Sequence, residues 1–559
     1  MNIRHLLLSA CLLTAGFAPN AAAESVPVQG DLYGEYLAGS YANYIDDAQA
    51  RAQYFGRAFE RISTDKKLGR LALVSALNAG EIDNSRTIAA KIYRNDKTEP
   101  MARAVLGIEA FSRGRSSRAE KYLKQPTADL TVNILMRLVQ GWNEVDQNKL
   151  DRARKTFRGL GGATYFSTYS ELQIAKLELG AGNYDAADEA LKKVEEIGMS
   201  PVENVLTRAR LEMARGDREA AIAALQAFAE DNDAAETGPT AAMLDTLQSG
   251  GKITTKLSPK EQAARALVDP AFAFFVANRA PDGAEIYLRM ARQIDPSYDK
   301  AVIWLGALLE DTDRDAEAYA LYKAMDDNSP YYVSARLNQA NIHFSADEDD
   351  EALVILEDLA ETHPSFITRE AVGRARFFRE AYAEALPFYD TLVQSMTDEE
   401  LTKNIEPLRL RGIIYERIDQ WSKAEADFKR VLSIDPDNVD TLNYLGYTWV
   451  DRGENLTEAF DMIRKAVEMQ PRSGAIVDSL GWAHYKLGQY EEAKINLEKA
   501  ASLSPSSATI IDHLGDVYWK VGRKREAGYQ WERALEFEPT DEERAAIEIK
   551  LKGGLEALP

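Results

Sequence analysis

A period of 34 residues restricts this chain more than any other feature of its sequence. Near the C-terminus Gly412, Gly446, Gly481 and Gly515 stand 34, 35 and 34 residues apart. Ala424, Ala459, Ala493 and Ala527 follow at intervals of 35, 34 and 34, and Pro436, Pro471, Pro505 and Pro539 close each unit with that same spacing. The single extra residue falls in Gly453-Glu454-Asn455, a turn-forming run where an insertion distorts least. A repeat of this length has room for two helices and their turns, and such a unit buries its apolar face only by stacking on its neighbours. Gly and Ala suit the points where two antiparallel helices cross closely, because a longer side chain there would push the axes apart. Phe428, Leu497 and Trp531 supply bulk between neighbouring units. Proline lacks the N–H that would continue a helix, so it ends the second one.

The lattice continues upstream. Ala284, Ala318 and Ala352 are 34 residues apart, as are Pro296, Pro330 and Pro364, and Ala385 follows after 33. Further back Ser85, Ala119, Ala153, Ala187 and Ala221 repeat every 34 residues, and a first unit lies around Ala50 and Tyr54. Two breaks interrupt the register. Ala221 to Ala284 spans 63 residues and contains Asp231-Asn232-Asp233, Gly238-Pro239, Gly250-Gly251 and Ser258-Pro259, all turn and loop formers. The second break adds residues around Thr397 to Glu406. The expected layout is a divergent N-terminal array over 24–227, a connector over 228–263 with one short helix near Ala241 to Gln248, a central array over 264–396, a well-matched array over 397–541, and a charged capping helix and tail over 542–559. The units resemble the tetratricopeptide repeat, whose pattern is a Leu-Gly pair, an aromatic three residues later, then Ala, a large apolar residue and Pro. That resemblance implies an all-α fold, a solenoid superhelix of about thirteen antiparallel helical hairpins.

Met1 to Ala23 reads as a secretory signal: Arg4 is positive, Leu6 to Phe17 are apolar, and Ala21-Ala22-Ala23 offers a cleavage site. The apolar stretch is well short of the ~20 residues a spanning helix needs. Leu8-Ser9-Ala10-Cys11 also resembles the lipobox of bacterial lipoproteins, but only Leu6 to Leu8 precede it as an apolar run and Leu12-Leu13 continue past it. Ordinary cleavage after Ala23 is the favoured reading. Either route exports the chain, and the expected compartment is a Gram-negative periplasm.

With 67 Lys and Arg against 89 Asp and Glu, the net charge is −22, which repels phosphate backbones and argues against a nucleic-acid partner. One cysteine among 559 residues, Cys11, excludes a disulfide framework and a thiolate metal site. No phosphate-cradling loop, His-Glu-x-x-His or Gly-x-Ser-x-Gly is present. Asp311-Thr312-Asp313-Arg314-Asp315 imitates the start of a calcium loop but has Ala316 and Tyr322 where glycine and glutamate are required. That run and Asp347-Glu348-Asp349-Asp350 read as solvated turns. His343, His363, His484 and His513 lack metal-ligand spacing and read as packing residues. No catalytic residue, metal or cofactor is expected.

Function then belongs to a surface. In the repeat family, positions five, nine and twelve of each first helix line a concave groove. Carried onto the four clear units, these are Arg409, Ile413 and Glu416; Asn443, Tyr447 and Val450; Asp478, Trp482 and Tyr485; and Asp512, Asp516 and Trp519. An Asn–Asp–Asp row beside aromatic rings suits an extended polypeptide, with Trp482 and Trp519 as exposed anchors. With Arg409 the only cation, it does not suit a C-terminal carboxylate.

A closer resemblance rests on Gly34-Glu35-Tyr36-Leu37-Ala38-Gly39-Ser40, on Asn443-Tyr444-Leu445-Gly446-Tyr447, on Ile476 through Trp482, and on Asp512-His513-Leu514-Gly515-Asp516. These runs are similar to those of exported proteobacterial repeat proteins. One branch of that family comprises outer-membrane lipoproteins that scaffold a carboxyl-terminal processing protease and deliver cell-wall hydrolases to it. The resemblance implies a non-catalytic adaptor for protein partners. The competing expectation is a structural component of an envelope assembly or polysaccharide-export machine.

Overall fold

The computed structural model describes residues 32–160, 164–196, 202–230, 238–276 and 281–558. The secretory-signal and lipobox readings, with Arg4 and Cys11, lie outside them. Among the described residues there are thirty-one α-helices and no strand, so the fold is all-α. Twenty-six of these helices pack as thirteen successive hairpins, the number the period suggested. The chain divides into two compact units, Met1–Leu359 and Ala360–Pro559. The division falls inside the stretch read as a central array, and not at the connector.

The small-residue lattice is the contact it was expected to be. Ser85, Ala119, Ala153, Ala187, Ala221, Ala284, Ala318, Ala352, Ala385, Ala424, Ala459, Ala493 and Ala527 are all fully buried in the second helices of their hairpins. The glycines opposite them touch the next large side chain: a Cβ on Gly481 would lie 2.6 Å from Leu497 Cγ, and one on Gly515 would lie 2.5 Å from Trp531 Cδ1. Twelve of the hairpins turn through a residue in the left-handed region. Gly80, Gly114, Gly182, Gly216, Gly453, Gly488 and Gly522 fill this place in seven hairpins, and Asn148, Asp313, Asp347, Glu380 and Asp419 fill it in five others. Asp313 (φ 54°) and Asp347 (φ 59°) are therefore turn residues, because Asp tolerates this conformation better than most side chains. That is what the two acidic runs are for.

In the first unit the connector is shorter than expected. A helix at Pro239–Gln248 sits where one was anticipated, but another, Pro259–Val276, has begun before residue 263. Arg218 pins the intervening turn by donating to the carbonyls of Leu247 (2.7 Å) and Gly251 (2.8 Å). The chain then folds back on itself. Helix Pro259–Val276 packs on Leu130–Asp146, and helix Pro281–Ile294 packs on Lys66–Asn78 and Pro100–Ser112. Each of those three receiving helices is the first of its hairpin, so the face that a free repeat array would offer to a ligand is here covered by the protein's own helices.

Polar contacts hold this return in place. Tyr287 donates to Thr131 O (2.6 Å), and Arg289 and Arg314 both donate to Asn78 O (3.0 and 2.9 Å). Arg314, the residue inside the calcium-loop look-alike, also pairs with Glu285 (2.9 Å). Lys176 and Glu203 form a fully buried ion pair at 2.8 Å, with Tyr298 donating to Glu203 at 3.2 Å. Burial alone would raise the Glu203 carboxyl, but Lys176, Arg265, Lys300 and Arg210 outweigh it and hold the group well below its usual range. A charge so placed is costly to strip of its partner.

Two substitutions in the second unit test the rules of the lattice with opposite signs. Gly515→Ala forces a methyl against Trp531 and is expected to destabilise this unit by about 1–3 kcal/mol. Glu380→Gly relieves a left-handed glutamate at φ 59° and is expected to stabilise it by about 0.5–1 kcal/mol. Urea unfolding of the full chain, followed at the transition that each variant moves, reads both.

Candidate functional site

The second unit carries the four well-matched repeats. Their first helices are Glu406–Arg417, Val439–Arg452, Gly474–Lys486 and Ala508–Lys520, and a final helix, Asp541–Gly553, closes the stack. Local chemistry sets their ends. Asn438 caps the second by accepting from Thr441 N (3.0 Å), and Gly453 (φ 71°) ends it. Thr540 and Glu543 form a reciprocal capping box at the start of the closing helix.

The twelve residues expected to line a groove are all at least half-buried. Ile413 and Val450 belong to the apolar core of the unit. Arg409 is held by Glu406 of its own helix (2.6 and 2.8 Å), and Glu416 accepts from Tyr444 OH (3.0 Å). Tyr447 is half-buried, and burial, then Asp478, raises its phenol pKa. The other six of these residues, apart from Asn443, come together over the last two repeats.

Asp478 is buried and meets His513 Nδ1 at 3.0 Å through both oxygens. Trp482 is stacked between Tyr485 (4.7 Å between centroids, 5° between planes) and His513 (4.0 Å, 14°). Asp512 and Asp516 share Lys550 of the closing helix, whose Nζ lies 2.7 Å from Asp512 Oδ2 and 2.8 Å from Asp516 Oδ1. Trp531 donates to Asp516 at 2.9 Å. Trp519 donates to Glu556 at 3.0 Å, and Gly554 lies so close to its ring that a Cβ there would collide.

Trp482 and Trp519 are thus not the exposed anchors the sequence suggested. One is sandwiched by rings and the other is covered by the C-terminal turn. Three residues that reasoning from sequence missed complete the cluster: His513, read only as packing, and Lys550 and Glu556 of the cap. A signal for Lys550 was available, since it stands one period, 34 residues, after Asp516 and so occupies the same place in the repeat. The acceptor row is largely satisfied from within. What remains are three enclosed polar atoms with no hydrogen-bond partner: Asn443 Oδ1, Trp482 Nε1 and Asp512 Oδ1.

The first unit contains a cavity of about 110 Å³ lined by Leu123, Gln125, Met136, Arg137, Gln140 and Thr156, among others, with room for only a few waters. Among the described residues no cluster of three or more His, Cys, Asp or Glu could hold a metal ion, and no helix is long and apolar enough to cross a membrane.

Comparison with known proteins agrees with the hairpin geometry. Residues 478–507, the helices that carry Asp478, Trp482 and Tyr485, match the tetratricopeptide repeat. The chain carries a tetratricopeptide repeat (TPR) there. The TPR chain is 30% identical over 202 residues to a TPR repeat-containing protein of Pseudomonas aeruginosa, a match covering 35% of this chain and 32% of that one. It is 24% identical over 207 residues to the CTR9 homolog of Arabidopsis thaliana, covering 34% of this chain and 18% of the other. The matches thus span about a third and less than a fifth of those relatives. Solved structures of similar helical make-up include a Cut9–Hcn1 hetero-tetramer (TM-score 0.36, 14% identity, covering 95% of this chain and 97% of that one) and a TPR protein from Parabacteroides merdae (0.34, 19%, 52% and 98%).

The acid cluster of the TPR chain makes its cap sensitive to pH. Burial, then the neighbouring Asp516, pushes the Asp512 carboxyl up to about 6, against the pull of Lys550. Burial disfavours the His513 imidazolium, but Asp478, with Asp512 and Asp516 behind it, outweighs that and raises its pKa. Both groups hold a proton more tightly folded than unfolded. Their contribution to stability is therefore present at low pH and lost as pH rises, for Asp512 between about 4 and 6. Amides of residues 541–557, corrected for intrinsic exchange, should be better protected from hydrogen exchange at pH 5.5 than at pH 7.5. Asp512→Asn should flatten that difference.

Proposed function

We propose that this TPR chain is a non-catalytic scaffold of the periplasm that binds polypeptide segments along the inner face of its second unit, with a carboxyl-terminal processing protease and its cell-envelope substrates as the partners. The observation that carries the reading is the part-exposed Tyr485–Trp482–His513 stack beside the carboxylates of Asp478, Asp512 and Asp516. Aromatic rings that keep part of a face to solvent beside polar groups are the usual anchors of a polypeptide partner. The first unit favours the same division of labour, since its own helices cover its inner face. Residues 478–507, the segment that matches the repeat family, carry part of this face.

The mechanism is tethering. Two ligands held on one scaffold meet at an effective concentration in the millimolar range for short connections, and the scaffold makes and breaks no bond. Affinity capture from periplasmic extract tests it, with each captured protein identified and its binding then repeated with purified components. The expected outcome is a processing protease and envelope hydrolases with the wild-type chain. Asn443→Ala and Trp482→Ala should weaken binding tenfold or more, about 1.4 kcal/mol each, while helicity is unchanged. Recovery of export-machine subunits would favour the structural-component reading instead. Binding that both variants leave intact would remove the inner face of the second unit from the account.

A further inference from the structure

The opening helix of the described residues, Leu32–Tyr44, packs on the helix that follows it, Ala48–Arg61. Its sequence contains one charged residue, Glu35, and that carboxylate is buried against Arg61 at 2.7 Å. Gly39 and Ala42 face the following helix, where a Cβ on Gly39 would touch the Phe55 ring. The opposite face is aromatic and bare. Tyr33 is 76% exposed, Leu37 65%, Tyr41 64% and Tyr44 83%, with Ile45 and Tyr36 partly exposed beside them. Positions 33, 37, 41 and 44 follow a spacing of four, four and three, which sets them in one stripe along the helix.

We infer that this face is a contact between two copies of the chain, the opening helices packing against each other about a two-fold axis. Two quantities favour a second copy. With full side-chain areas of about 150–250 Å², the six exposed residues offer roughly 700 Å² per copy, or about 1,400 Å² for the pair, which lies within the range of stable specific interfaces. Charge points the same way. A chain of net charge −22 repels its own kind over most of its surface, and this helix presents no exposed charge of its own, the exposed Asp46 and Asp47 following just beyond its end. A stripe of tyrosines is also self-complementary, since rings stack offset while their hydroxyls stay in water. Tyr41 and Tyr44 already stack at 6.4 Å within one copy.

Sedimentation velocity of the purified protein over a hundredfold concentration range tests this. The wild type should pass from monomer to dimer, and added salt should tighten the dimer by screening the net repulsion. Tyr33→Asp and Tyr44→Asp alter the two most exposed positions, so the fold stays intact by circular dichroism, and each should weaken dimerisation by tenfold or more. A wild-type chain that stays monomeric throughout overturns the inference. So does a monomer that instead floats with phospholipid vesicles, which would make the stripe a membrane contact, and so does a dimer that both aspartates leave unchanged.

Discussion

Two helices can cross closely only where neither has a side chain to keep them apart, and this chain meets that condition once per hairpin. Thirteen positions, twelve alanines and one serine, are fully buried at the crossings. The glycines on the partner helices accept Leu497, Trp531 or another large side chain in the space a Cβ would have filled. The rest depends on it. Close crossings bring the hairpin turn through a left-handed residue, and they bring the large residue of one helix against the next unit. The apolar core grows by repetition, each hairpin closing the one before it.

The two units use the same module for different ends. In the first, helices Pro259–Val276 and Pro281–Ile294 turn back and pack on the first helices of three earlier hairpins. The ligand-facing side becomes an interior, and the polar residues on it become structural. Lys176 and Glu203 are an ion pair sealed from water, and Asn78 O receives two arginines. Buried pairs of this kind add little net stability but penalise any arrangement that breaks them, which favours one packing over its near alternatives. In the second unit no helix turns back within the four clear repeats. Only the last of them is covered, by a cap whose Lys550 neutralises two aspartates that would otherwise repel each other.

Much of this was legible from the residues. The period located the hairpins, the acidic runs at Asp313 and Asp347 were recognised as turns, and the capping helix was anticipated. The candidate site was legible only in part. Position-by-position transfer picked out Asp478, Trp482, Asp512 and Asp516, which do cluster, yet it also picked Ile413 and Val450, which are core. It treated each position as an independent surface point, whereas burial depends on what the next unit places over it. His513 stacks on Trp482 and pairs with Asp478, and neither contact is visible from spacing alone.

The sequence by itself determined the module: helix length, the small residue at each crossing, the turn conformation and the places where register slips. Those are local properties, set by side-chain size, backbone freedom and the missing N–H of proline, and they act within one 34-residue unit. Only the tertiary structure decided which inner faces stay open. Whether a helix from far downstream folds back onto an array, or a cap brings a lysine to a pair of aspartates, depends on the summed geometry of many units and on the balance between desolvating a charge and pairing it. No single period carries that information.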